Sequence, residues 1–298
     1  MDYPFSLNTD LLAKIPVTAK RVLEVCCRAA LGFLLVIGLS ACGGTTRFEP
    51  VITGVKTQSL MYGHTASILL GGKDLRSSVS VDTQGACITP SFASNSTTEV
   101  LVLNCRASVV GDFLLTVKSA QGDLLYSETL SIPKPQVTLF TSKGNLTVEL
   151  EPNIAPVSVN NFLTYVSQGF YKGALFHRVI PGFVIQAGGY SSGMIKKSGQ
   201  AAPIVLESNK GLSNLRGTVA MARTNVANSA TSEFFVNLVN NTSLDYRSAA
   251  SLGYAVFGSV VQGMDTVDAI ALEPTGVFGA FADVPLSEVA ISLAVQVK

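Results

Sequence analysis

With 298 residues, 47% of them hydrophobic and only 14% charged, the chain has the composition of a globular protein and room for two modest domains. A formal net charge of +1 without a basic stripe argues against a nucleic-acid partner. Two histidines, His64 and His177, lie far apart, and the five cysteines show neither CxxC pairs nor metal-ligand spacing, so neither a metal nor a cofactor is expected.

The N-terminus reads as a targeting segment. Lys14, Lys20, Arg21 and Arg28 precede an apolar run from Ala29 to Leu39. That run is shorter than the ~20 apolar residues of a comfortable membrane span, and its layout is that of a secretory signal. Leu39-Ser40-Ala41-Cys42 follows and resembles the bacterial lipobox, in which the cysteine receives lipid. The alternative is an ordinary cleaved signal with an incidental cysteine. A true start at Val22 would shorten the long charged region and still leave a good signal. Residues 1–41 are therefore expected to be a lipoprotein signal peptide and 42–50 a tether, with Cys42 anchoring the chain to a membrane. Gly43 stands where many inner-membrane lipoproteins carry aspartate, so the expected location is the outer membrane of a bacterial envelope, facing the periplasm.

Residues 51–132 alternate apolar and polar residues in short runs, such as Ser67–Leu70, Val79–Val81, Val100–Leu103 and Phe113–Val117. Gly71-Gly72, Gly85, Gly111-Asp112 and Gly122-Asp123 punctuate them. Short strands with glycine turns predict a small immunoglobulin-like β-sandwich. His64, alone in Tyr62-Gly63-His64-Thr65, reads as a surface or turn residue. Cys87 and Cys105 are the two cysteines left after signal removal and lipidation. In an oxidising compartment they are expected to form a disulfide; two buried free thiols are the alternative. Pro133-Lys134-Pro135 then reads as a stiff linker.

From Gln136 the pattern changes. Gly144–Leu150 alternates as a half-buried strand. Pro156 opens a helix that Gly169 closes, with Val159, Phe162, Leu163 and Val166 on one face. Strands are predicted at Phe183–Ala187, Gly217–Ala222, Glu233–Leu238, Tyr254–Val260 and Glu288–Val297, and a second helix at Gly263–Ala271. This mainly β order suggests a closed antiparallel barrel capped by helices.

Four ordered motifs then carry a specific resemblance. They are Phe176–Gly189 (FHRVIPGFVIQAGG), Gly217–Arg223 (GTVAMAR), Asn228–Asn237 (NSATSEFFVN) and Tyr254–Gly258 (YAVFG). Over residues 136–298 the chain resembles the cyclophilins, most of all the compact bacterial periplasmic ones. The resemblance implies an eight-stranded barrel closed by two helices. It also implies peptidyl-prolyl cis–trans isomerase activity on proline-containing polypeptides, without a cofactor.

By the same resemblance, Arg178 is the catalytic arginine and Gln186 holds a substrate carbonyl. Phe183, Val184, Phe235 and Leu244 form the proline pocket, with Val184 where methionine or leucine is usual. Ala222 and Arg223 match backbone positions that bind the extended peptide, and Tyr254 stands where many members carry histidine. His177 is expected to be structural. Alternation puts Phe234, Val236 and Leu238 on the core face, opposite Phe235. Glu233 replaces a family glutamine, and is expected to pair with Arg178 and compete with substrate, so that Glu233→Gln would raise efficiency; the alternative is that it orients the guanidinium. Ser243 replaces a large aromatic associated with cyclosporin binding. The expected function is isomerisation of X–Pro bonds in exported proteins by a monomer. The rival is a catalytically weak proline-peptide-binding or chaperone-like lipoprotein.

Overall fold

The computed structural model describes residues 49–75 and 79–298. The expected signal segment 1–41, Cys42 and most of the tether lie outside the described residues.

Seven strands come first: β1 (Val51–Thr57), β2 (Thr65–Lys73), β3 (Ser80–Asp82), β4 (Cys87–Phe92), β5 (Val100–Ala107), β6 (Gly111–Lys118) and β7 (Leu124–Ile132). They form one sheet in the order β1-β2-β5-β4 and another in the order β3-β6-β7. That is the strand order of a constant-type immunoglobulin sandwich. Alternation explains the core: Ile68, Leu70, Leu103 and Cys105 of the first sheet and Phe113, Leu115 and Val117 of the second share one buried cluster. Cys87 and Cys105 are disulfide-bonded, with Cα atoms 4.9 Å apart. The bond joins neighbouring strands of one sheet, whereas in antibody domains it bridges the two sheets.

The second half holds β8 (Gln136–Thr141), β9 (Gly144–Leu150), α1 (Pro156–Ser167), β10 (Ala174–Ile180) and β11 (Val184–Ala187). A short ribbon follows, β12 (Tyr190–Ser191) and β13 (Ile195–Lys196), then β14 (Thr218–Met221), β15 (Phe234–Asn237) and β16 (Val256–Gln262). The chain ends with α2 (Met264–Ala271), a hairpin of β17 (Thr275–Phe278) and β18 (Phe281–Pro285), and β19 (Ala290–Gln296). Eight strands close a barrel in the order β10-β11-β15-β14-β16-β9-β8-β19. Its recorded pairings are antiparallel, and β19 returns to β10. The six strands expected here agree with the structure to within two residues at each end.

Helix α1 buries Val159, Phe162 and Val166 as its spacing predicts, but Leu163 is only partly buried and Tyr165 is fully so. Phe162 is fully buried, its ring 5.2 Å from those of Tyr171 and Phe257 and 5.5 Å from that of Phe234. The helix starts after Ala155, which has no side chain to cap it. The buried carboxylate of Glu207 does so instead, accepting from the backbone N–H of Val157 (3.1 Å) and of Ser158 (2.8 Å), and from Ser158 Oγ (2.7 Å). A negative charge at a helix N-terminus also complements the helix dipole.

The sandwich and the barrel form one compact unit. Tyr62 Oη donates to Asn160 Oδ1 on α1 (3.0 Å), and Gln296 Nε2 on β19 donates to the Tyr62 carbonyl (3.0 Å). Asn153 both accepts from the Val110 N–H and donates to its carbonyl. His64, exposed at its turn, lies 3.0 Å from Gln296 Oε1. In the connecting segment, Lys134 is tied to Glu151 at 2.6 Å.

Glu207→Ala leaves three donors without their acceptor and is expected to lower unfolding free energy by about 2 kcal/mol in urea titration. Glu207→Gln, which keeps one acceptor oxygen, should lose less.

Candidate active site

On the outer face of β11, β15 and β14 the chain builds a small apolar depression. Val184, Ala220, Phe235 and Val256 form its buried base, with Phe183, Leu212, Ala222, Leu244 and Tyr254 packed around them. Phe234 and Val236, their neighbours on β15, belong to the main core, as does Leu238. The period-2 alternation of a strand separates the two sets. A pocket of about 120 Å³ opens here, lined by Arg178, Phe183, Val184, Gln186, Ala222, Arg223, Phe235, Leu244 and Tyr254. Nine of the ten residues that the sequence singles out for catalysis and substrate binding thus meet in one place.

Glu233 is the tenth. It does not line the pocket but stands behind Gln186, whose Nε2 donates to Glu233 Oε2 at 2.8 Å. The expected pair with Arg178 is absent from the ion pairs of the described residues. The same carboxylate oxygen lies 3.3 Å from Nε2 of His177 instead. A bulge explains this partner. The register of β10 against β11 shifts between Phe176 and Arg178, which brings the consecutive residues His177 and Arg178 to the same outer side. Gly189 admits the carboxylate and Gly188 admits the backbone that carries it. A Cβ on Gly189 would collide with the Glu233 carboxyl group, and one on Gly188, at φ +97°, would lie 2.5 Å from the Ser232 carbonyl.

The Arg178 guanidinium is held lightly. Its Nη1 donates to Gln186 Oε1 at 3.4 Å, and its Nε is 3.9 Å from Asp283 Oδ2 on β18. Among the described residues most of its five N–H donors find no partner and can serve a ligand. The orientation of Gln186 follows from Glu233. A carboxylate only accepts, so it draws the Gln186 amide nitrogen and turns the oxygen toward Arg178. One N–H of that amide remains to donate. Burial pushes the Glu233 carboxyl up, but hydrogen bonds and charge from His177, the Gln186 amide and Lys196 outweigh it and hold Glu233 below the usual glutamate range.

Arg223 stacks on Tyr254, its Cζ 4.8 Å from the ring centroid, and donates to the Gly253 and Thr224 carbonyls. The Tyr254 ring meets that of Phe235 edge-on at 5.6 Å. The Ala222 N–H already donates to the Glu233 carbonyl, so the backbone group Ala222 has left to offer is its own carbonyl.

A polar network absent from the sequence reading holds the rim. Asn241 Nδ2 donates to the Phe183 carbonyl (2.9 Å) and to Asn237 Oδ1 (2.8 Å). Asn237 donates in turn to Asn214 Oδ1 (3.2 Å) and Thr218 Oγ1 (2.9 Å). Asn214 donates from backbone and side chain to Asp245 Oδ1 (2.7 and 3.0 Å), and from its side chain to the Leu244 carbonyl (3.2 Å). Buried asparagines are costly unless satisfied, and here two of the bonds fix the backbone of pocket residues, Phe183 and Leu244. The signal was available: Asn237-Leu238-Val239-Asn240-Asn241 puts amides directly after an apolar strand. Asp283 gave no such signal, since the β17–β18 hairpin that carries it was not predicted.

Residues 136–295 match the family described as cyclophilin type peptidyl-prolyl cis-trans isomerase/CLD. The chain belongs to that family. A peptidyl-prolyl cis-trans isomerase of Acinetobacter baylyi is 48% identical over 59% of this chain and 92% of its own length. Peptidyl-prolyl cis-trans isomerase A of Dickeya dadantii is 48% identical over 54% of this chain and 84% of its own. Peptidyl-prolyl cis-trans isomerase B of Escherichia coli is 46% identical over 52% and 95%. This cyclophilin is a peptidyl-prolyl cis–trans isomerase, EC 5.2.1.8. Its N-terminal sandwich lies outside the match.

Glu233→Gln lets the Gln186 amide turn either way. Efficiency on a proline peptide should fall about fivefold, ~1 kcal/mol of transition-state stabilisation; a rise would show that Glu233 opposes substrate. Because the folded pKa of Glu233 is depressed, its contribution to stability is complete above the unfolded value and is lost as pH falls through the folded one. Titration of Glu233 should therefore not affect wild-type activity near neutral pH, and an acid limb should appear below the usual glutamate range that the glutamine variant lacks.

Proposed function

We propose that this isomerase acts on X–Pro bonds of exported proteins in a bacterial cell envelope, with Arg178 as its catalytic residue. The observation that carries the catalytic reading is the guanidinium of Arg178 at the edge of the apolar pocket formed by Phe183, Val184, Phe235 and Leu244. The amide C–N bond has partial double-bond character and a rotation barrier of about 18–20 kcal/mol. Cis and trans X–Pro forms differ by only about 0.5–1 kcal/mol, so the enzyme has to speed an easy equilibrium.

The proline ring enters the pocket and is held by apolar burial, at roughly 25 cal/mol per Å². The free N–H of Gln186 and the Ala222 carbonyl hold the chain on either side of the ring. Arg178 donates to the prolyl nitrogen, which becomes a good acceptor only when the amide is twisted and its lone pair leaves the π system. That bond exists in the transition state and not in either planar ground state, which is the condition for catalysis. Glu233 acts one step away, through Gln186.

Export and anchoring are supported by the apolar segment 29–39 and by Leu39-Ser40-Ala41-Cys42. The Cys87–Cys105 bond is consistent with an oxidising compartment. On this reading Cys42 carries lipid, the chain faces the periplasm from the outer membrane, and the enzyme works as a monomer.

Arg178→Ala should lower catalytic efficiency on a proline peptide at least about tenfold, ~1.4 kcal/mol, with an unchanged unfolding midpoint. Full activity in that variant would refute the mechanism. Membrane fractionation checks the anchor: Cys42→Ser should move the protein from the membrane to the soluble fraction, and a variant that stays wholly with membranes would refute lipidation at that residue.

A further inference from the structure

Beside the proline pocket lies a second cavity, of about 130 Å³, between the β17–β18 hairpin and β10. Leu175, Met194 and Val284 form its buried floor, and His177 lines it too. Its rim is Phe278 and Leu286, which are 52% and 73% exposed. Side chains of that size left in water beside an apolar hollow mark a surface that something covers.

We infer that this cavity is a subsite for an apolar side chain of the substrate polypeptide, about three residues from the isomerised proline. The inference rests on the reading that the substrate runs past Arg178. Three observations support it. First, the cavity and the proline pocket share β10: Leu175 and His177 line the one, Arg178 the other. Three residues of strand span roughly 10 Å, and an extended substrate covers the same distance in three residues. Second, Asp283 of the hairpin approaches Arg178, so the two sites are continuous. Third, His177 is 5% exposed and its Nδ1 has no hydrogen-bond partner among the described residues. Nε2 faces Glu233, which leaves Nδ1 as an unpaired polar atom in a residue of the cavity wall. The occupant is thus a leucine- or phenylalanine-like residue in an unfolded segment, which only a substrate longer than a few residues can provide.

The test uses the exposed rim, where substitution does not disturb the core. Wild type, Phe278→Ser and Leu286→Ser are assayed on a proline tetrapeptide and on a series of nine-residue proline peptides. In that series a single leucine is moved through the positions flanking the proline, with an all-glycine flank as reference. Wild type should prefer leucine about three positions away, on one side, by about tenfold in kcat/KM (~1.4 kcal/mol). Both variants should lose that preference yet turn over the tetrapeptide and the glycine peptide as wild type does. A wild type indifferent to leucine position, or variants that retain the preference, would overturn the subsite. Loss of tetrapeptide turnover in the variants would overturn it as well, by showing that the hairpin serves the catalytic pocket instead. Failure of wild type to isomerise any of the peptides would refute the active-site reading itself.

Discussion

On β15 the side chains of Phe234 and Val236 fill the closed barrel, so geometry throws Phe235 between them outward. The pocket is a by-product of that alternation, repeated at Val184 on β11 and Ala220 on β14. A closed barrel has no free edges and little slack, and a one-residue slip would exchange core and pocket. Catalysis by placement, with no covalent step, needs this rigidity. In the proposed mechanism the guanidinium gains its advantage only when the proline ring is held still a few ångströms away.

Around the rigid strands, polar groups fine-tune what alternation alone leaves loose. The Asn214–Asn237–Asn241–Asp245 network fixes the loops that carry Phe183 and Leu244. Behind the pocket a shorter chain runs from His177 through Glu233 and Gln186 to Arg178. Its members differ in what they can exchange. A carboxylate accepts, a carboxamide does both, and a guanidinium only donates, so the direction of each hydrogen bond is dictated by chemistry.

How much of this was legible in the sequence depends on range. The apolar pocket residues sit in short motifs at fixed offsets, and period-2 alternation sorted Phe235 from its neighbours correctly. Helix α1 was legible from Pro156 and its apolar spacing, but its cap was not, because Glu207 comes from about 50 residues downstream. The partner of Glu233 was misread for a related reason. Strand alternation predicts that His177 and Arg178 face opposite sides, and only the bulge before Arg178 undoes this. The β17–β18 hairpin was missed because Pro274–Pro285 mixes exposed apolar residues with glycines and shows no clean period.

The junction between the two halves shows a further limit of local reading. Pro133-Lys134-Pro135 reads as a stiff linker, and a linker by itself predicts no contact between the halves it joins. Here Lys134 is bound to Glu151, Tyr62 reaches Asn160, and Gln296 of the last barrel strand reaches the Tyr62 carbonyl. These contacts are polar and few, yet they flank a buried cluster that runs from sandwich residues such as Ile132 to barrel residues such as Val137 and Leu139. Domains joined only by a linker bury little against each other; the buried residues of these two belong to one cluster. The prolines therefore join two halves that also meet through side chains, and the linker is one of several ties between them.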